Sequence, residues 1–155
     1  MGIDVEDAAD KVRGALVRAE VKFRERDDHL GFQLGFGSSM FYIRVYPMPQ
    51  FDDVAVEIFS WVLSEMELTD DLTAQVVGEL DKRNSMGRFG CLWLHRAKKA
   101  IVLEHHLWAS GLHGDELAKT IYLNAERADR LDDELKELFN TGRRSADDAD
   151  GTLAT

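Results

Sequence analysis

Cysteine is almost missing: Cys91 is the only one in 155 residues. An internal disulfide is excluded, and so is a zinc site built on cysteines. Proline is scarce, confined to Pro47 and Pro49. Positive charge is in short supply. Lys and Arg number 19 against 29 Asp and Glu, a formal net charge of −10. That balance argues against a surface built for phosphates, hence against nucleic acid as a partner. No apolar run approaches the roughly 20 residues of a membrane span, so no membrane association is expected. The opening stretch MGIDVEDAAD has neither the basic start nor the apolar core of a signal peptide. The expected location is cytoplasmic.

Apolar residues make up 45% and charged residues 31%. A chain of this length and composition affords one compact domain with a real core. We assign residues 1–140 to that domain. Residues 141–155, TGRRSADDADGTLAT, lack periodicity and read as a flexible tail. Two bases and three acids fall in the tail, so the acidity belongs to the body.

Residues 4–19 predict a helix, with Val5, Ala8, Ala9, Val12, Leu16 and Ala19 at helical spacing and Asp4 as its cap. From Val21 the period changes to two, and Asp27-Asp28 reads as a turn. Leu30, Phe32, Leu34 and Phe36 then alternate with His29, Gly31, Gln33 and Gly35. Gly37-Ser38 suits a two-residue hairpin turn. That turn predicts a register: Leu34 opposite Phe41, Phe32 opposite Ile43, Leu30 opposite Val45. On the reverse side it sets Gln33 against Tyr42, Gly31 against Arg44 and His29 against Tyr46. Apolar residues meet apolar residues throughout, so turn and pattern agree.

Pro47 and Pro49 end that strand. Residues 54–63 form a strand apolar on both sides, hence central. Thr69 caps a helix whose stripe is Leu72, Val76, Val77 and Leu80, stopping near Asn84 and Gly87. A second hairpin joins 88–95 to 100–108 through the polar turn 96–99, setting Leu92 and Leu94 against Ile101 and Leu103. A long helix runs from about Asp115 to Asn140. The expected fold is α+β: helix, antiparallel strands, helix, β-hairpin, long helix, with the helices on one face of the sheet.

Catalytic chemistry finds little support. Cys91 sits mid-strand, with no helix N-terminus to activate it. No Gly-x-Ser-x-Gly elbow is present. The glycines of GFQLGFG lie inside a hairpin rather than between strand and helix, so they are no phosphate loop. Gly31 and Gly35 instead leave the reverse face shallow. His105 and His106 must point to opposite faces of a strand and cannot share a metal. Glu104 and His106 share a face, which His95 can join, but solvated or packed histidines are the simpler reading. Glu57 lies between apolar neighbours, where a strand-face Glu commonly meets an Arg such as Arg44. We expect no enzyme activity, no metal and no cofactor.

What remains is surface. Leu30, Phe32, Leu34, Phe41, Ile43 and Val45 should lie under helices. The other face offers Tyr42, Tyr46, Phe59 and Trp61, with Arg44 among them and Trp93 and Trp108 as an extension. Tyr and Trp beside Arg is the composition of protein-binding surfaces. Cover by the chain's own helices or by a second copy would bury the same face.

The stretches NSMGRFGCLWL, AIVLEHHL and NAERADRLDDEL resemble the YbjN family, whose members are often labelled bacterial sensory transduction regulators and whose fold is similar to that of type III secretion chaperones. The resemblance runs from about Val5 to Phe139. Its marks are Asn84 before the hairpin, Gly87 and Phe89 opening it, the gapped apolar strand after the turn, and Ala128-Asp129 in the last helix. It implies a non-enzymatic module that binds a protein or peptide client, with chaperone-like or regulatory character and a possible homodimer.

The expectation is therefore a domain holding an extended client segment on an apolar sheet face or edge. Tyr42, Arg44, Tyr46, Phe59 and Trp61 are the expected contacts, Arg44 anchoring an acidic group. One alternative is a small-molecule binder or enzyme with a pocket between sheet and helices, containing Glu57 or His106. Another is a structural homodimer that consumes the sheet face.

Overall fold

The computed structural model describes residues 2–26, 31–36, 39–87 and 90–147. The Asp27-Asp28 and Gly37-Ser38 turns, His29, Leu30, Phe89 and residues 148–155 lie outside them.

Helix α1 (Val5–Arg18) starts where the Asp4 carboxylate accepts the Asp7 N–H at 2.8 Å. Three strands follow: β1 (Phe23–Arg26), β2 (Gly31–Phe36) and β3 (Ser39–Met48). A 3-10 turn over Pro49–Phe51 leads into β4 (Asp53–Leu63). Helix α2 (Asp70–Met86) is capped by Thr69, whose hydroxyl accepts the Leu72 N–H at 3.1 Å. Strands β5 (Cys91–His95) and β6 (Ala100–Trp108) make the second hairpin, and α3 (Gly114–Phe139) ends at Asn140 in a left-handed conformation.

The six strands form one antiparallel sheet in the order β1-β2-β3-β4-β6-β5. Helix α2 carries the chain to the far edge, and β6 returns to pair with β4. Where it is described, the first hairpin has the expected register, with Leu34 opposite Phe41, Phe32 opposite Ile43, Gln33 opposite Tyr42 and Gly31 opposite Arg44. The second does too, with Leu92 opposite Leu103 and Leu94 opposite Ile101. β4 is central, as its two apolar sides require.

One face of the sheet carries the core. Phe32, Leu34, Phe41, Ile43, Val45, Val56, Ile58 and Leu103 are buried with Val12 and Leu16 of α1 and Leu117, Ile121, Ala128 and Leu135 of α3. A bulge between Trp61 and Leu63 lets β4 serve both sides. It turns Leu63 into the core while Trp61 stays on the opposite face. Helix α2 contributes less than its sequence stripe suggests: Val76 and Leu80 are buried, but Val77 is exposed. It packs beside edge strand β5 rather than across the sheet, so a narrower stripe suffices.

Residues 141–147 make defined contacts. Ser64 and Arg143 exchange two backbone hydrogen bonds of 2.9 and 2.7 Å, and a 3-10 turn spans Ser145–Asp147. Among the described residues, no helix is long and apolar enough to cross a membrane.

Candidate functional site

The face turned away from α1 and α3 is the candidate site. Cross-strand partners share a face, so the register gives its rows directly. One row reads Arg24, Gln33, Tyr42, Phe59, Glu104 and Cys91; the next reads Gly31, Arg44, Glu57 and His106. A third sets Val102 between Trp61 and Trp93.

All five residues expected to make contacts come together here. Tyr42 stacks on Phe59 with ring centroids 5.3 Å apart, and Phe59 meets Trp61 edge-on at 6.2 Å. The Arg44 guanidinium lies 5.8 Å from the ring centres of both Tyr46 and Phe59. None of these rings belongs to the core cluster. Tyr42, Tyr46, Phe59 and Trp61 are half-buried; the side chain of Arg44 is half-exposed. Beyond them, Trp93 stacks on His95 at 5.2 Å, and Lys98 sits 5.3 Å over Trp61. Trp108 meets Phe51 edge-on at 5.4 Å. These two rings are 47% and 63% exposed, enough to offer a second aromatic patch.

The face is grooved rather than flat. A depression of about 150 Å³ opens at Gly31, bounded by Arg26, Tyr42, Arg44 and Phe59. Gly31 has no side chain to fill it. A larger one, about 240 Å³, runs between Trp61, Trp93, Lys98 and Glu104.

A polar cluster occupies the centre. Glu57 is 7% exposed, and a polar group so buried needs a hydrogen-bonded partner. Arg44 donates to its Oε2 from Nε at 2.9 Å and Nη2 at 2.5 Å. So the first acidic partner of Arg44 belongs to the chain itself. His106 stands opposite Glu57, its Nε2 4.0 Å from Glu57 Oε1 and 3.1 Å from Glu104 Oε1. Trp93 Nε1 donates to Glu104 Oε2 at 2.7 Å. Burial and a hydrogen bond with Glu57 push the Glu104 carboxyl above the usual range. Burial, then the Glu57 charge, pushes the Tyr46 hydroxyl up. Glu57, Glu104 and His106 each offer a ligand atom, all within 4.8 Å of one another, so a metal ion could be held here.

The two neighbouring histidines separate as strand geometry demands. His105 is turned to the helix side, where its Nδ1 accepts the Gly90 N–H at 3.0 Å. His95 lies on the aromatic face but joins Trp61 and Trp93, not the carboxylates. Glu57 and His106 line no space between sheet and helices; both belong to the opposite face.

Sequence reasoning missed how the sheet edge is closed. The Asn84 side chain accepts the Leu92 N–H at Oδ1 and donates from Nδ2 to the Leu92 carbonyl, both at 2.8 Å. It occupies the outward N–H and C=O of Leu92, two of the backbone groups an added strand would use. Asn84 stood out in the sequence only as one of the marks of resemblance; nothing there placed it beside β5.

The chain matches the family described as TY-Chap1, T3SS (YopN, CesT) and YbjN peptide-binding chaperone 1, over residues 6–148. Among solved structures it is similar to the crystal structure of YbjN from E. coli, with a TM-score of 0.61 and 13% identity. That likeness covers 88% of this chain and 95% of the other, and shows a shared fold. No curated protein matches.

Proposed function

The chain belongs to the family of T3SS and YbjN peptide-binding chaperones, and from that premise we propose that it is a non-enzymatic, cytoplasmic chaperone-like or regulatory module holding an extended segment of a protein client on its open sheet face. The observation that carries this reading is the half-buried aromatic cluster of Tyr42, Phe59 and Trp61, with Arg44 and Tyr46 at its side, on the face turned away from α1 and α3. Rigid rings on a rigid sheet present contact area at small entropic cost. The two depressions give side chains of an extended segment places to enter. The face, rather than the β5 edge, is the binding surface, because Asn84 already holds the outward backbone groups of Leu92.

The test is a peptide selected from a random library against the whole chain, its affinity then measured by calorimetry. Tyr42→Ala combined with Trp61→Ala removes two aromatic anchors. Each costs about 2 kcal/mol when it is a hot spot, so the pair together should weaken binding on the order of 1,000-fold. Unchanged affinity in a variant with a native circular dichroism spectrum sinks the assignment. A homodimer consuming the same face would show instead as a concentration-dependent mass that this double variant abolishes.

A further inference from the structure

We infer that Glu57, Glu104 and His106 form a binding site for a divalent transition-metal ion of the zinc type, on the sheet face opposite the helices. Their ligand atoms lie within 4.8 Å of one another, and they come from two adjacent central strands, β4 and β6. Glu57 and His106 are direct cross-strand partners; Glu104 is two residues along β6 on the same face. Rigid strands fix such a set better than loops do.

The surrounding donors sort the oxygens. Arg44 holds Oε2 of Glu57, and Trp93 holds Oε2 of Glu104. In each carboxylate the other oxygen, Oε1, is the one nearer His106 Nε2. One oxygen is anchored and the other is presented, which is how an outer shell orients the ligands of a metal. The two carboxyls also hydrogen-bond each other. A dication placed between them takes the place of that bond's proton, which is released, and takes the imidazole nitrogen as third ligand. One nitrogen and two carboxylate oxygens suit zinc and its first-row neighbours better than calcium or magnesium, which favour all-oxygen sets. His106 is 49% exposed at its side chain, so the ion would keep an open position toward solvent.

Titration of tag-free, full-length protein with Zn²⁺, read by calorimetry, is expected to give one ion per chain. His106→Ala removes the nitrogen ligand, and Glu104→Gln removes a charge at constant shape. Each is expected to weaken binding more than about 100-fold, and Trp93→Phe, which touches only the outer shell, about 10-fold. His113→Ala, an exposed histidine elsewhere, should bind as the wild type does. Should His106→Ala unfold, the wild type still decides: Zn²⁺ must shift the imidazole nitrogen resonances of His106 and leave those of His113. No saturable binding, or equal binding by Glu104→Gln and wild type, would overturn the site.

Discussion

Gly90 shows how much one position can fix. Its φ is +75°, a conformation that costs a side-chain-bearing residue about 1 kcal/mol or more. A Cβ there would stand 2.6 Å from Asn124 Oδ1 and 2.9 Å from Leu103 Cδ1. Its N–H goes to His105 and its carbonyl accepts from Arg127 Nη1 at 3.1 Å, so it links β6 to α3. Gly90→Ala should therefore lower stability by about 2–3 kcal/mol, read as a lower urea midpoint at unchanged slope. A loss below about 0.5 kcal/mol would mean the backbone there relaxes freely. Asp53 ties β4 to the turn after β6, its carboxylate accepting the Ser110 hydroxyl and the N–H groups of Val54 and Ser110. The Ser110 hydroxyl, foremost, holds its pKa below the usual value. A depressed carboxylate stabilises the fold above its unfolded pKa of about 3.9 and loses that contribution as pH falls through the folded value. The acid limb of the stability curve below about pH 4 should be shallower in Asp53→Asn than in the wild type.

At the scale of elements, the hairpins were legible because their alternation, turn residues and pairing all gave one register. Helix caps at Asp4 and Thr69 were legible because a short polar side chain before a periodic run has one use. The closure of β5 was not, since it depends on where α2 lands beside the strand. The carboxylate–histidine centre was half legible: strand parity put Glu104 with His106, but only the β4–β6 register brings Glu57 to them. The Asn84 contact supports a prediction of its own. Asn84→Ala leaves the outward N–H and C=O of Leu92 without their partner, at a cost of about 1–3 kcal/mol. Amide exchange at Leu92 should quicken, and the freed edge should promote self-association at high concentration. Asn84→Asp keeps an acceptor for the N–H but repels the carbonyl. It should preserve the protection of Leu92 better than alanine does. Equal exchange in all three proteins would show that α2 does not seal the edge.

For the whole molecule, the two-sided sheet is what ties fold to function. Periodicity assigned one side to the core and left the other aromatic, and the helices do lie on the first. Composition is silent on how the chain closes its ends. Residues 141–147 look like a polar tail because they bury little apolar surface. What holds them is backbone pairing with Ser64, the Thr141 hydroxyl accepting the Glu67 N–H at 2.9 Å, and ion pairs of Arg144 with Asp133 and Asp147. These contributions are unequal. The ion pairs are only partly buried, with Asp133 still 62% exposed at its side chain, so solvent and salt weaken them and Arg144→Ala should move the melting temperature little. The two backbone bonds stabilise by about 1 kcal/mol each. Truncation after Asn140 removes them along with the Thr141 hydroxyl that accepts the Glu67 N–H. It should lower the melting temperature by about 4–8 °C for a domain of this size. If Arg144→Ala instead accounts for most of the loss on truncation, charge rather than backbone pairing fastens the end of the chain to the sheet.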